Sequence, residues 1–413
     1  MKISTAAVAL SMSVMIIATA LISGFQQTIS QKVFGFWAHV IISPYQSINS
    51  LDKFPISKTN SLYTDIANYE EVEHIQSIAL KGGILHTKED FDGIILKGIG
   101  EDFKKDAMNA FLVEGEIFDL EESTDNPGIL ISKITANRLE LELGDKVIIS
   151  FIDESAQIRK RSFFVSGIYD SGVEEFDKQY AWIGIGVIRG LNDWTEDEVG
   201  GFEIFVKEKY LFQDKLLVYA KKIWSNFVSP SRAKELQKDE LDKIGDKLFY
   251  SIDKELYAQT IKEFKPDIFN WLSLQNTNEI VILSIMLLVA AVNMITSLLI
   301  LILERTRMIG ILKALGTQKN QLRRIFVWNG VVIVGIGLLI GNVVGIALCL
   351  FQDASHLIKL PQDSYYIDYA PIHLEWTWIV FLNLFTLITA SIFLLLPALL
   401  VNKIEAIKAI RFN

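Results

Sequence analysis

The sequence carries one cysteine, Cys349, in 413 residues. No disulfide can close within the chain, and no cysteine-based metal site is available to it. Histidine is also scarce: His39, His74, His86, His356 and His373 are scattered, so no metal ligand set is expected. There is no G-x-x-x-x-G-K-[ST], so nothing in the chain can cradle nucleotide phosphates. H-E-x-x-H and G-x-S-x-G are missing too, and with them the signatures of zinc and serine hydrolases. No catalytic residue is therefore expected. The net charge is −9, which denies the basic footprint that nucleic-acid binding requires.

Charge is most conspicuously absent from four long runs. Half of the residues are hydrophobic, yet 22% are charged, and the mean hydropathy is +0.31. The two facts agree if the apolar residues are segregated. A bilayer core needs about 20 consecutive apolar residues in a helix. Ile3–Gly24, Ile280–Leu303, Ile325–Gln352 and Trp376–Asn402 contain no charge at all. Taken alone, the first run, with Ala18-Thr19-Ala20 at its end, also fits a cleaved signal peptide; its length and three later spans favour a retained helix. Trp37, Trp271, Trp328, Trp376 and Trp378 lie near span ends, where indole rings favour the membrane interface.

Lys and Arg placement sets the orientation. Glu304–Arg324 holds six basic residues against Glu304 alone, and the tail after Asn402 is also net positive. Residues 28–279 are net −14 and Asp353–Glu375 net −3. Both positive segments and the N-terminus are expected in the cytoplasm, and both negative segments outside. The expected organisation is a transmembrane helix at 3–24, an extracytoplasmic domain at 28–275, a helix at 280–303 and a cytoplasmic coupling loop at 304–324. A helix at 325–352, an extracytoplasmic loop at 353–375, a helix at 376–402 and a cytoplasmic tail at 403–413 complete it.

Within the outer domain, His39–Ser43, Ile94–Ile99, Ile129–Ser132, Tyr180–Ile185 and Gly201–Val206 read as strands, and Lys146–Asp153 with Arg161–Tyr169 as a strand pair. Helical patterns cover Asn60–Tyr69, Asp214–Ser225 and Ser231–Gly245, and an amphipathic stretch Ile134–Leu143 stops at Gly144. The domain is therefore expected to be α+β. Asn276, with Glu279 three residues on, reads as a capping box that starts the second span.

Glu304–Arg324 reads ERTRMIGILKALGTQKNQLRR. Helix formers run to Leu315, Gly316 suits the left-handed position that ends a helix, and Thr317 suits the next cap. Ile309, Leu312 and Leu315 offer an apolar face; Arg305, Arg307 and Lys313 offer charge. On physical grounds alone the segment could be a solvated loop that merely sets topology. Gly337, Gly341 and Gly345 form two overlapping G-x-x-x-G units, which suit close helix packing, either within the chain or between subunits. Asn293, Asn329, Asn342 and Asn383 are polar but uncharged, so no proton or ion relay is indicated.

The segment resembles the coupling loop of FtsX-like permeases, whose usual form is ERTxxIGxLKALG. Glu304, Arg305, Thr306, Ile309, Gly310, Leu312, Lys313, Ala314, Leu315 and Gly316 carry the match. Ser23–Gln26 (SGFQ), Leu141–Val147 (LELGDKV), Gly167–Asp170 and Asp267–Asn276 (DIFNWLSLQN) are similar to the lipoprotein-releasing, Lol-type branch of this MacB-like group. Members usually carry a basic segment before the first span; here only Met1 and Lys2 precede it.

The resemblance implies four transmembrane helices and a MacB-like periplasmic core domain between the first two. It implies an inner-membrane permease of an ABC transporter, with Glu304–Gly316, Arg307 included, seated on a separate cytoplasmic ATPase that binds ATP and Mg. A second permease subunit, a lipoprotein substrate and a periplasmic carrier are the other implied partners. Asp170–Tyr180 reads as a hairpin between two strands, and Glu174, Glu175 and Asp177 become candidate carrier contacts; a merely solvated hairpin is the alternative. Export of a toxin, peptide or drug, control of a cell-wall hydrolase, and a membrane-anchored sensor or scaffold are the competing functions.

Overall fold

The computed structural model describes residues 2–47, 54–58, 61–87, 90–118, 120, 127–152, 158–211, 238–361 and 367–398. In chain order its elements are α1 (Lys2–Trp37), β1 (Val40–Pro44), β2 (Ile56–Ser57), α2 (Ser61–Ala67), β3 (Val72–His86) and β4 (Phe91–Ile99). Next come α3 (Lys105–Asn109), β5 (Leu112–Gly115), β6 (Gly128–Ser132), α4 (Lys133–Leu139), β7 (Lys146–Ile152) and β8 (Ile158–Tyr169). They are followed by α5 (Glu174–Gln179), β9 (Tyr180–Gly184), α6 (Ile185–Asn192), β10 (Glu198–Val199), β11 (Gly201–Val206) and α7 (Glu240–Ser251). The remainder are β12 (Leu256–Thr260), α8 (Ile261–Phe264), α9 (Pro266–Glu304), α10 (Thr306–Ala314), α11 (Lys319–Ser355) and α12 (Trp376–Ala398). Contacts divide the chain into two units. One takes Met1–Thr28, Asn270–Lys359 and Tyr369–Asn413; the other takes Ile29–Phe269 and Leu360–Asp368.

The first unit is helical. α1, α9, α11 and α12 are long and apolar enough to cross a membrane. Small residues set how closely they approach. A Cβ on Gly337 would meet Val8 at 2.8 Å, one on Gly341 the Ala9 carbonyl oxygen at 2.7 Å, and one on Gly345 the Ser13 Cα at 3.1 Å. The glycine stripe of α11 thus packs against α1 of the same chain. Ser13 Oγ donates to the Gly341 carbonyl at 2.9 Å across that contact. Asn342 and Asn383 exchange amide hydrogen bonds between α11 and α12 at 2.7 and 2.9 Å. Such pairing satisfies polar groups that hydrocarbon cannot solvate. Leu288, Leu339, Val343 and Ile388 remain exposed on the helix faces.

Two resemblance segments meet in this unit. Gln26 Nε2 donates to the Leu272 carbonyl at 3.1 Å and to Asn276 Oδ1 at 2.9 Å. Asn276 therefore lies inside α9, whose first residue is Pro266, and does not start a helix as its spacing to Glu279 suggested. Gly24 is required where the loop before α12 closes on α1, since a Cβ there would sit 2.3 Å from the Pro371 carbonyl oxygen.

The second unit is α+β. Its main sheet runs β12-β1-β11-β3-β4-β9-β6-β8-β5, and β7 pairs with both β3 and β8. The pairings β3-β4-β9-β6-β8-β7-β3 consequently close a ring, leaving β12 and β5 at the free edges. Two ring pairings, β4 with β9 and β6 with β8, are parallel. β3, fifteen residues long, escaped the sequence reading. It contains Gly82-Gly83, and a Cβ on Gly83 would meet Ile149 Cγ2 at 2.6 Å, so glycine permits the β3–β7 contact. The core holds Trp37, Trp182, Tyr169, Phe36, Phe151, Phe163 and Phe176. Trp37 is fully buried there and is not an interfacial anchor, whereas Trp328 and Trp376 are largely exposed.

Ser132 caps α4, its Oγ accepting from the Thr135 N–H at 3.0 Å. The helix ends at Glu140, which is left-handed at φ 52°. Gly144, at φ +83°, serves the turn into β7 and does not stop the helix. The helical pattern at Asp214–Ser225 lies outside the described residues, as does the first part of Ser231–Gly245; α7 takes up the rest.

Candidate coupling segment

α9 ends at Glu304, and Arg305 breaks the helix with φ −101° and ψ 12°. Thr306 Oγ1 donates back to the Ile302 and Leu303 carbonyls at 3.1 and 2.7 Å. The last carbonyls of a helix lack intrahelical partners, and this single hydroxyl hydrogen is shared between two of them. α10 then runs for nine residues. The Thr317 N–H donates to the Leu312 carbonyl at 3.1 Å and the Gly316 N–H to the Lys313 carbonyl at 3.1 Å. With Gly316 at φ +92°, these two bonds make a complete Schellman motif. The following cap is Gln318 and not Thr317: its backbone N–H donates to Gln321 Oε1 at 3.3 Å as α11 begins.

The faces of α10 differ from the sequence expectation. Ile309 is 0% exposed and Gly310 is buried beside it, so Ile309 belongs to the fold and offers nothing to a partner. Leu312 and Lys313 are half-buried. The exposed large apolar residues are Met308 (37%), Ile311 (48%) and Leu315 (78%). They share one helical stripe, flanked by exposed Glu304, Arg305 and Arg307. Sequence reasoning missed Met308 and Ile311, although the i, i+3, i+7 spacing of 308, 311 and 315 was available.

Asp170–Tyr180 is not a hairpin. β9 pairs with β4 and β6, and β8 with β5, β6 and β7, so the segment is a crossover carrying α5. Asp177 is buried: its Oδ1 accepts from the Ser171 N–H at 3.1 Å, and its carbonyl accepts from Ser132 Oγ. Burial pushes its carboxyl up to about 6, against the pull of the Ser171 hydrogen bonds. Asp177 is therefore no surface contact for a carrier. Glu175 pairs with Lys265 at 2.8 Å and Glu174 with Lys178 one turn along α5. Among the described residues, no group of three His, Cys, Asp or Glu could hold a metal ion.

Two family models match the chain. The FtsX-like permease C-terminal model covers residues 280–406, and the MacB-like periplasmic core domain model covers residues 3–209. The lipoprotein-releasing system transmembrane protein LolC of Xylella fastidiosa is 24% identical over 422 residues, covering 98% of this chain and 92% of that protein. LolC of Haemophilus influenzae is 23% identical over 426 residues, covering 100% and 93%. LolE of the same organism is 21% identical over 401 residues, covering 91% and 85%. Among solved structures, the periplasmic region of MacB from Actinobacillus actinomycetemcomitans aligns with TM-score 0.34 and 14% identity, covering 56% of this chain and 92% of that one. The chain belongs to the MacB-like periplasmic core domain family, whose model spans residues 3–209, and its C-terminal part matches the FtsX-like permease model.

Proposed function

We propose that the chain is the multi-pass permease subunit of an inner-membrane ABC transporter that extracts lipoproteins towards a periplasmic carrier. A separate cytoplasmic ATPase supplies hydrolysis, and a second permease subunit completes the membrane part. The observation that carries the reading is α10: a short helix fixed at both ends, with Met308, Ile311 and Leu315 exposed beside Arg305 and Arg307. An apolar stripe with a charged margin is the composition of a protein docking face. The full-length similarity to lipoprotein-releasing transmembrane proteins supplies the substrate class. The chain by itself has no phosphate-binding loop, so nucleotide chemistry falls to the partner.

The test is reconstitution with the ATPase in vesicles loaded with a triacylated lipoprotein. ATP-dependent transfer to a soluble carrier is expected, and no hydrolysis by this chain alone. Leu315→Asp should reduce ATPase co-purification by roughly thirtyfold, the loss that follows from about 2 kcal/mol at one interface anchor. Undiminished co-purification in Leu315→Asp and in Ile311→Asp would leave α10 a topology signal only. ATP hydrolysis without lipoprotein transfer would favour export of another cargo.

A further inference from the structure

Lys97 is the least expected residue of the outer domain. It lies on β4, and its side chain is 0% exposed. Its ammonium donates to Glu203 Oε1 at 2.5 Å and to the Phe36 carbonyl at 2.5 Å. The Trp37 ring centroid lies 4.4 Å away, with those of Trp182 and Phe36 at 5.1 and 5.3 Å. Glu203, on β11, is also 0% exposed. Its Oε2 accepts from Gln76 Nε2 on β3 at 2.7 Å, and Gln76 Oε1 accepts from the Lys104 N–H before α3 at 3.0 Å. One polar chain thus joins the end of α1 to three strands and to α3.

A buried ion pair is weak evidence of a stability device. Removing two charges from water costs several kcal/mol per ion, and well-packed apolar residues of similar size are often equally stable there. What the pair supplies here is direction. α1 ends at Trp37, with Ala38 left-handed at φ 59° and its N–H on the Phe34 carbonyl at 2.8 Å. That leaves the Phe36 carbonyl, at the negative pole of a 36-residue helix, to be met by a cation. Apolar side chains could fill the same space, but they could not bind that carbonyl or fix the helix end in one orientation on the sheet.

The geometry points to Lys97 and Glu203 as positioning residues of the transport cycle, an anchor that makes the C-terminal end of α1 and the β4/β11 sheet move as one body. The role in transport rests on the permease reading; the anchor itself does not. Lys97→Met alone would strand a buried carboxylate and could abolish folding. The informative variant is Lys97→Met/Glu203→Gln, which is neutral and keeps an acceptor for Gln76. Spin labels at Gln31→Cys on α1 and Arg161→Cys on β8, both exposed, in a Cys349→Ser background, report the distance between helix end and sheet. The measurement uses the full chain in detergent and needs neither ATPase nor substrate. The parent should give one narrow distance distribution. The double variant should give a broadened or split one, while the outer domain still melts in a single cooperative transition. In the reconstituted complex its ATP turnover should stay at the parent level while lipoprotein released per ATP falls roughly tenfold, as expected when a coupling free energy between two sites is lost. A parental distance distribution in the double variant overturns the anchor, whatever the release assay gives. No release by the parent overturns the permease reading and leaves the distance result to decide the anchor.

Discussion

Asp177 and Gly316 show how single residues carry opposite burdens. Asp177 sits in the core with its carboxyl raised to about 6 by burial, against about 3.9 in an unfolded chain. The folded state therefore binds the proton more tightly. Its contribution to stability is fully present below pH 4 and is lost as pH rises through about 6. Asp177→Asn keeps the acceptor for the Ser171 N–H and removes the ionisation. Its melting temperature at pH 7 should exceed the parent's, by an amount equivalent to at most about 3 kcal/mol, and the slope between pH 4 and 6 should flatten. Intrinsic fluorescence melts across that range read both effects. Gly316 is constrained by its backbone instead. At φ +92° with both Schellman bonds made, it should tolerate Asn, whereas Gly316→Val should cost about 1–2 kcal/mol locally. Co-purification of the ATPase should fall for Val and hold for Asn, with the outer domain melting unchanged in both.

Among the elements, α1 and α11 approach each other closely through small residues. Gly341→Leu would drive a side chain into Ala9 and Met12, where overpacking costs about 1–3 kcal/mol or more against backbone that cannot give way. Reduced yield of folded protein in mild detergent should follow. The same change at Gly335, where a Cβ meets nothing, should be harmless. The positions of the glycines were legible in sequence, but their partner was not, because small residues state that a backbone approaches and not whose. The strands β1, β4, β6, β9 and β11 were legible from short apolar runs. β3 was not: Lys81 and Gly82-Gly83 interrupt its pattern, and its pairing with three neighbours leaves no simple alternation. The crossover at α5 was misread as a hairpin for a related reason. Two strands adjacent in sequence pair only when topology permits, and here β6 and β4 flank β9 instead. In α10 the terminal glycine announced the end of the helix, yet Ile309 and Leu315 look alike in composition. Only packing shows that one is core and the other surface.

For the molecule as a whole, orientation is the property most open to direct test. Cysteines at Glu142 and Gln318, both exposed, should divide cleanly in a Cys349→Ser background. An impermeant thiol reagent applied to intact spheroplasts should label the first and spare the second; the reverse would place α10 outside and remove any contact with a cytoplasmic ATPase. The outer domain has one further property. β1 opens the sheet and β12 is its last strand, yet the two are hydrogen-bonded neighbours, Val40 opposite Thr260 and Pro44 opposite Leu256. The stretch Ile29–Phe269 therefore enters and leaves the sheet at one doorway, although more than two hundred residues lie between, and Leu360–Asp368 joins the unit separately. A domain attached in this way behaves as an interchangeable cassette. A fold that brings its own first and last segments together could stand at this position without moving the ends of the helices that flank it in sequence.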